Sequence, residues 1–430
     1  WGCDNNLAPI NQYQVTPPDL SKRSVFESFS PDSGGIGTQL IIRGKNFGSD
    51  PEYVRVTVNN KEATVVRMDD EMIYAIVPAR ADTGYVRLYI GKDDNVEEYS
   101  SESKFCYQFK RNVTTMVGQQ GMKGREDGSY AACKLQRPWF LLTDKDGTVF
   151  FVDEGRGTEQ NGALRRARGG EVETLVQCST GPFQSPTALA FSPNQDTLYI
   201  SNYCYTDESN TKTDFNVLYV TREGGFVDVR GLCRGTKIGT TGIAVHPQTG
   251  EVFFSNKGDG YIWRYVGPGY EDYEKLFQIN NATGVETRMV FNREGTILYV
   301  VACNRHCIYK VPYDAGTHTF GIPVLFVGAW DESGYGNGTG ATARLNEPRQ
   351  PAFDEDGNMF IPEKSGHIVR KITPAGTTSL DAGMPGQNGF GDGLPELAKF
   401  NSPECVTVYP DNSVYVADRE NHVIRRVTVE

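Results

Sequence analysis

The chain has 430 residues, 47 of them glycine, and a formal net charge of -11. This length is sufficient for two domains. The negative net charge argues against nucleic acid as a partner, because binding to backbone phosphates requires clustered lysine and arginine. The sequence has no apolar window of about 18 residues, which argues against a membrane-spanning helix. Many glycines, an aromatic share of 11% and few apolar windows of helical period predict an all-β fold.

Residues 1–23 are predicted to be an N-terminal tether. Gly2 precedes Cys3, and a polar, proline-containing segment follows. This order is typical of the end of a bacterial lipoprotein signal and its acylated cysteine, so we expect an exported protein whose only contact with the membrane is a lipid on Cys3. An ordinary thiol in a frayed terminus is the alternative. The other cysteines either pair outside the cytoplasm or stay as buried thiols.

Residues 24–108 are predicted to form a small β-sandwich. Period-two alternation runs through TQLIIRGKNFG, YVRVTVNNKEATVVRM and TGYVRLYIG, with breaks at Gly, Asn and Pro. SPDSGGIGTQLIIRGKNFG, followed by VTVNNKEATVV, IYAIVPA and GYVRLYI, resembles the IPT/TIG immunoglobulin-like domain across nearly its whole length. Modules of this kind are usually spacers or docking units, and this one shows no catalytic cluster.

A strand pattern then recurs six times at intervals of about 50 residues. Each copy is a short apolar strand with an aromatic residue near its centre and, in five of the six, a polar residue at its end. The central residues are Phe150, Tyr199, Phe253, Tyr299, Phe360 and Tyr415. Each interval accommodates four short strands, so the pattern predicts a six-bladed β-propeller over residues 109–430.

The sixth repeat ends at IRRVTVE and lacks a fourth strand. FKRNVTTMVG, residues 109–118, matches the fourth-strand segment TTSLDAG of the fifth repeat. We therefore expect the chain to enter the propeller at strand 109–118 and to complete the sixth blade there, which hides an otherwise unpaired edge.

Three repeats carry a further motif. GDGLPELAKFNSPE, GNGTGATARLNEPR and, more loosely, REDGSYAACKLQRP lead into them, and DRENHVIRRV and EKSGHIVRKI follow the second strands of two. These segments resemble NHL repeats. Together with the first module, the chain is similar to the IPT/TIG plus NHL-repeat exported lipoproteins of the Bacteroidetes type. The resemblance implies a place at the outer membrane, on the cell surface or the periplasmic side, in a carbohydrate-uptake complex.

Functional residues are expected where loops crowd one face of the propeller around its channel. Carbohydrate recognition needs aromatic faces beside amide, carboxylate and guanidinium groups. Candidate ligand-binding residues of these types are Trp139, Asn202, Tyr203, Tyr205, Asn256, Arg288, Arg349, Glu363 and Asp418. Each of them is equally compatible with a packing role.

Calcium is the candidate ion, and no other cofactor is predicted. Five oxygen-bearing residues end second strands in different blades: Asp153, Asn202, Asn256, Glu363 and Asp418. Calcium takes six to eight oxygens, but Asp and Asn at a strand end commonly cap the next turn, and capping is the favoured interpretation. His306, His367 and His422 share one aligned position, which indicates hairpin chemistry rather than a metal site.

The sequence favours a non-catalytic binding protein whose channel face recognises a carbohydrate or a protein partner. The pattern GxSxG is absent, and no catalytic residue is assigned. A metal-assisted propeller hydrolase or lyase that uses the ring of carboxylates and amides is the alternative. A scaffold with an inert channel is the third hypothesis.

Overall fold

A computed structural model describes residues 15–79, 81–109, 111–153, 162–178, 183, 185–203, 215–234 and 239–429. The chain divides into two compact units, the second of which is Asn112–Thr428. The described ranges contain no helix long and apolar enough to cross a membrane. Their helices are four single 3-10 turns, Pro51–Tyr53, Cys303–Arg305, Gly340–Thr342 and Arg419–Asn421. The predicted all-β class is confirmed.

The first unit is built from eight strands joined in the order β1-β3-β6-β5-β4-β7-β8-β2. They are β1 Val25–Ser30, β2 Ser33–Gly34, β3 Gln39–Lys45, β4 Val54–Val58, β5 Lys61–Met68, β6 Met72–Ile76, β7 Gly84–Lys92 and β8 Asn95–Tyr107. Alternation in β3 turns Leu40 and Ile42 inward, where they join Val56, Leu88 and Phe105 in one buried core.

The second unit contains six antiparallel sheets, which are the six blades of a propeller. Blade 1 consists of β10 Gly128–Ser129, β11 Pro138–Thr143, β12 Val149–Asp153, β13 Ala163–Arg168 and β14 Glu171–Gln177. Blade 2 consists of β15 Pro186–Phe191, β16 Thr197–Asn202, β17 Val217–Thr221 and β18 Arg230–Cys233. Blade 3 consists of β19 Thr240–Val245, β20 Val252–Asn256, β21 Tyr261–Tyr265 and β22 Tyr273–Gln278.

The other three blades follow the same plan. Blade 4 consists of β23 Thr287–Phe291, β24 Ile297–Ala302, β25 Cys307–Asp314, β26 Thr319–Phe320 and β27 Val324–Gly328. Blade 5 consists of β28 Ala352–Phe353, β29 Met359–Glu363, β30 Ile368–Ile372 and β31 Thr378–Gly383. Blade 6 consists of β32 Pro403–Val408, β33 Val414–Asp418, β34 Val423–Val429 and β9 Arg111–Val117. The predicted number of blades is confirmed.

The inner strands surround a central channel. β11 packs beside β15, β15 beside β19, β19 beside β23, and β28 beside β32, which returns to β11. At that last seam the Cys405 thiol accepts a hydrogen bond from the Leu141 amide at 3.1 Å and donates one to the Leu141 carbonyl at 3.4 Å. Burial raises the pKa of Cys405 to about 12, so the thiol keeps the proton that it donates.

The outer edge of blade 6 is completed by β9, which comes from the opposite end of the second unit. The Val113 amide donates to the Gly393 carbonyl at 2.8 Å, and the Gly393 amide donates to the Val113 carbonyl at 2.9 Å. The Val113 side chain is fully buried with Phe400 and Val427. The strand therefore supplies both backbone partners and core volume to the last blade.

Placing a charge in this strand tests how much the ring depends on it. We expect Val113→Asp to lower the free energy of unfolding of the second unit by about 3 kcal/mol or more, because an unpaired carboxylate would replace a buried side chain. Urea unfolding can be followed by tryptophan fluorescence, since Trp139, Trp263 and Trp330 lie in this unit. Asn112→Asp adds the same carboxylate at the exposed neighbouring position, and a loss as large as that of Val113→Asp would contradict the role of the strand.

Candidate functional site

A buried arginine on the third strand of blade 1 holds the carboxylate that ends the second strand. Arg165 is fully buried, and its Nη1 lies 2.8 Å from Oδ2 of Asp153, which is also fully buried. The other guanidinium nitrogen lies 2.8 Å from Asp127, within the REDG segment. The Asp153 oxygens also accept backbone hydrogen bonds from Gln136 and Arg137 at 2.8 to 3.0 Å.

Blades 5 and 6 repeat this arrangement. In each, a fully buried carboxylate pairs with a buried third-strand arginine, and the arginine also contacts the polar residue between the glycines of the motif. The sets are Glu363, Arg370 and Asn337 in blade 5, and Asp418, Arg425 and Asp392 in blade 6. The NHL-like motif thus encodes a charge network inside one blade. The aligned arginines of ALRRAR, IVRKI and VIRRV were the signal for it, and the motif analysis did not single them out.

Blades 2, 3 and 4, which do not carry the NHL-like motif, lack both members of this pair. Their second strands end in Asn202, Asn256 and Ala302, and the positions matching the arginine hold Leu218, Trp263 and Tyr309. A buried guanidinium without its carboxylate would be strongly destabilising, so loss of the acid requires loss of the base. The divergence of these blades therefore has a physical cause in charge pairing.

The five candidate calcium ligands are engaged within their own blades. Asn202 Oδ1 accepts from the Ser185 amide at 2.9 Å, and Asn256 Oδ1 accepts from the Gly258 amide at 2.8 Å. Burial raises the pKa of Asp418 to about 6 although Arg425 acts against the rise. No group of three or more His, Cys, Asp or Glu side chains suited to a metal occurs in the described part of the chain. Each of the five side chains is thus bonded within its own blade, as the capping interpretation expects.

The three aligned histidines connect neighbouring blades. Each has a left-handed backbone conformation, with φ between 57° and 60°. Nδ1 of His306 accepts from the Glu347 amide at 3.0 Å, and Nδ1 of His367 accepts from the Ser402 amide at 3.1 Å. Nδ1 of His422 instead faces the Gln136 carbonyl across the closing seam, where the ring donates the hydrogen bond. Each histidine therefore adopts the left-handed conformation of a hairpin turn and also forms a hydrogen bond to the next blade.

One end of the channel is surrounded by buried charged residues from blades 4, 5 and 6. Arg349 Nη1 lies 2.7 Å from Glu286 Oε1, and Arg349 Nε lies 3.4 Å from Glu404 Oε2. Burial alone would lower the pKa of Arg349, but Glu404 and Glu286 raise it overall. Arg288 is buried, donates to the Thr241 carbonyl of blade 3 and lies 3.8 Å from Glu286. We call this end of the channel the polar mouth.

Several buried polar atoms of the polar mouth lack a hydrogen-bond partner within the described ranges. Neither carboxylate oxygen of Glu404, which is 1% exposed, accepts a hydrogen bond, although Arg349 and Arg419 lie within 4 Å. The Trp139 indole N–H and the Thr287 hydroxyl are likewise unsatisfied. Buried polar groups normally find partners, so these donors and acceptors mark a place for a polar ligand or ordered water.

The predicted ligand residues divide between this mouth and the blade interiors. Trp139 stands at the mouth, where the Arg419 guanidinium lies 4.7 Å from its ring centre. Tyr203 is buried, and the missing side chain of Gly239 leaves the space that its ring occupies. Tyr205 lies outside the described residues. Arg288 and Arg349 belong to the mouth, whereas Glu363, Asp418, Asn202 and Asn256 serve their blades.

The comparisons with known proteins agree with this architecture. Residues 24–107 match the IPT/TIG domain, and residues 400–426 match the NHL repeat. The chain contains an IPT/TIG domain and an NHL repeat. The resemblance to both families that the motifs indicated is confirmed.

Two solved structures are similar over nearly the whole chain. An auxiliary nutrient binding protein from Bacteroides thetaiotaomicron VPI-5482 is 27% identical, with a TM-score of 0.67 and coverage of 96% of this chain and 99% of the other. Another from Bacteroides ovatus ATCC 8483 is 25% identical, with a TM-score of 0.72 and coverage of 96% and 100%. The Arabidopsis thaliana protein SUPPRESSOR OF QUENCHING 1, chloroplastic, is 22% identical over 57% of this chain, which spans only 25% of that protein.

The arginine pairs predict a large stability cost for losing one carboxylate. We expect Asp418→Ala to lower the free energy of unfolding by about 3 kcal/mol, because Arg425 would lose its buried partner. Asn256→Ala removes one hydrogen bond to a turn amide and should cost about 1 kcal/mol. Urea unfolding with and without calcium measures both. The structural role of Asp418 would be contradicted if the two variants lost equal stability. It would also be contradicted if calcium changed the effect of Asp418→Ala alone.

The histidine links predict a stability that falls as the pH falls. Burial lowers the pKa of His306 and His367 in the folded state, so the unfolded chain binds protons more readily, and stability is lost as the pH falls below about 6.5. We expect His306→Asn with His367→Asn to reduce the drop in melting temperature between pH 7.5 and 5.5 by about half, because Asn also adopts the left-handed conformation and does not titrate. An unchanged drop would count against these links.

Proposed function

We propose that the protein is an exported, non-catalytic binding protein whose polar mouth takes a small hydroxyl-rich nutrient, with a carbohydrate as the ligand class. The supporting observation is the set of buried, unsatisfied polar atoms on Glu404, Trp139 and Thr287. A sugar carries several hydroxyls that each donate and accept, so one sugar offers partners for a carboxylate, an indole N–H and a hydroxyl. Because these side chains are held in a closed ring, little ordering is needed on binding.

The similar Bacteroides proteins support the same class of role. Both structures described as auxiliary nutrient binding proteins share this chain's two-part architecture at 25% identity or more. We infer export from that relationship, with attachment through Cys3, which lies outside the described residues. A ligand captured at the mouth would then be passed to an uptake complex at the outer membrane.

A carbohydrate panel with titration calorimetry tests the proposal. We expect one sugar class to bind with a 1:1 stoichiometry. Glu404→Gln should weaken binding by tenfold or more, because hydrogen bonds to a charged group contribute about 1.5–3 kcal/mol. Trp139→Phe keeps the aromatic ring, removes the N–H donor and should cost about fivefold.

The control is Glu223→Gln, which makes the same change at an exposed position between β17 and β18, away from both ends of the channel. Melting curves confirm that each variant folds. Absence of binding across the panel, or the same affinity in Glu404→Gln as in the unaltered protein, would refute the proposal. Conversion of the bound sugar into a product would favour the alternative of a propeller hydrolase or lyase.

A further inference from the structure

A cavity of about 620 Å³ occupies the channel at the end opposite the polar mouth. It is lined by the second halves of the inner strands and by the turns that follow them, including Lys145, Gln195, Arg293 and Glu355. It therefore opens on the face that carries the turns between first and second strands. Its volume is within the range of small-molecule sites, about 300–1,000 Å³. We call it the turn-side chamber.

Each blade contributes one partly exposed aliphatic side chain to the wall of the turn-side chamber. These residues are Leu142, Ala190, Val245, Val290, Ala352 and Val408. The two threonines of the wall, Thr143 and Thr407, are hydrogen-bonded to each other at 3.1 Å. A largely apolar wall of this kind favours an apolar ligand body.

The floor of the chamber contains a single unsatisfied acceptor. Gln350 is 7% exposed and lines the chamber, and its Nε2 donates to the carbonyls of Met289 and Pro351 at 3.3 Å. Those two bonds define the orientation of the amide and leave Oε1 without a donor. Among the described residues that line the chamber, Gln350 provides the only buried side-chain oxygen or nitrogen without a partner.

The two aspartates of the wall are engaged by protein groups, and the cations of the lining lie at its rim. Asp144 is buried, accepts from the Thr148 amide at 2.8 Å and lies 3.2 Å from Arg222. Asp354 accepts from the backbone and side-chain amides of Asn358 at 2.8 and 2.9 Å. Lys145 and Arg293 are exposed at the rim, where water solvates them. A ligand charge buried among the aliphatic side chains would lie away from the cations at the rim, which disfavours ionised ligands.

We propose that the turn-side chamber is a second binding site, which takes a neutral, largely apolar small molecule bearing one hydroxyl or N–H donor. The donor bonds to Gln350 Oε1 at the floor, and the apolar body contacts the aliphatic ring. This ligand class differs from the hydroxyl-rich one proposed for the polar mouth. The two sites lie at opposite ends of one channel, so the proposal for the turn-side chamber does not depend on the proposal for the polar mouth.

The probes are 2-naphthol and 2-methoxynaphthalene, which share an aromatic body and differ in the donor. Titration of the full chain, followed by the fluorescence of the probe, should give saturable 1:1 binding of 2-naphthol. The methoxy compound should bind about fivefold more weakly, because one neutral hydrogen bond is lost. Gln350→Leu should abolish that difference while both compounds still bind.

A second set of variants tests the site by placing larger side chains in the wall of the turn-side chamber. Ala190→Phe should weaken binding of both probes by tenfold or more, and Ala352→Leu serves the same purpose if the first variant fails to fold. The matched control is Ala131→Phe at an exposed position outside the chamber, which should bind like the unaltered protein. Nuclear Overhauser contacts between 2-naphthol and the Val290 methyls locate the probe. Unsaturable binding, equal affinity for the two probes, or binding unaffected in the filled variant would overturn the proposal.

Discussion

The completion of the sixth blade by β9 is the constraint on which the rest of the propeller depends. Without it, β34 would present a row of unpaired amides and carbonyls, and blade 6 would lose Val113 from its core. A strand that arrives from the start of the domain converts an open row of sheets into a ring. Both ends of the channel consist of side chains from several blades, so neither has a definite geometry unless the ring is closed.

Within the ring, buried ion pairs stabilise three of the blades, and histidine hydrogen bonds join neighbouring blades. The pairs of Arg165, Arg370 and Arg425 with their carboxylates lie inside single blades, and the aligned histidines join one blade to the next. Such groups are costly to bury and are retained only with their partners present. Among the described residues at the channel, Glu404, Trp139 and Thr287 at one end and Gln350 at the other carry buried polar atoms that make no hydrogen bond. These residues can act on a ligand because the fold does not satisfy them.

Much of the fold could be predicted from the sequence because it repeats a local pattern. The second strands end at Asp153, Asn202, Asn256, Ala302, Glu363 and Asp418, as the alignment of the repeats indicated. The strand expected over residues 109–118 is Arg111–Val117. Period-two alternation and turn residues are local signals, and tertiary packing in a propeller does not override them.

The site was harder to predict, because its chemistry depends on which groups are left unpaired in three dimensions. An aspartate in the sequence looks the same whether it faces the channel or a buried arginine, so Asp153 and Asp418 were included among candidate ligands. Tyr203 was a candidate ligand-binding residue, but its ring is buried against Gly239. The wall of the turn-side chamber combines one aliphatic residue from each of the six blades, and no linear motif connects them.

Native-state hydrogen exchange tests the closure most directly. If β9 completes the ring, the amides through which β9 pairs with β34 should exchange only when the second unit unfolds, with the same opening free energy as amides in the centre of β33. Exchange of the β9 amides through a local opening that is about 3 kcal/mol easier, while β33 stays protected, would show that the ring persists without its borrowed strand and would contradict the account.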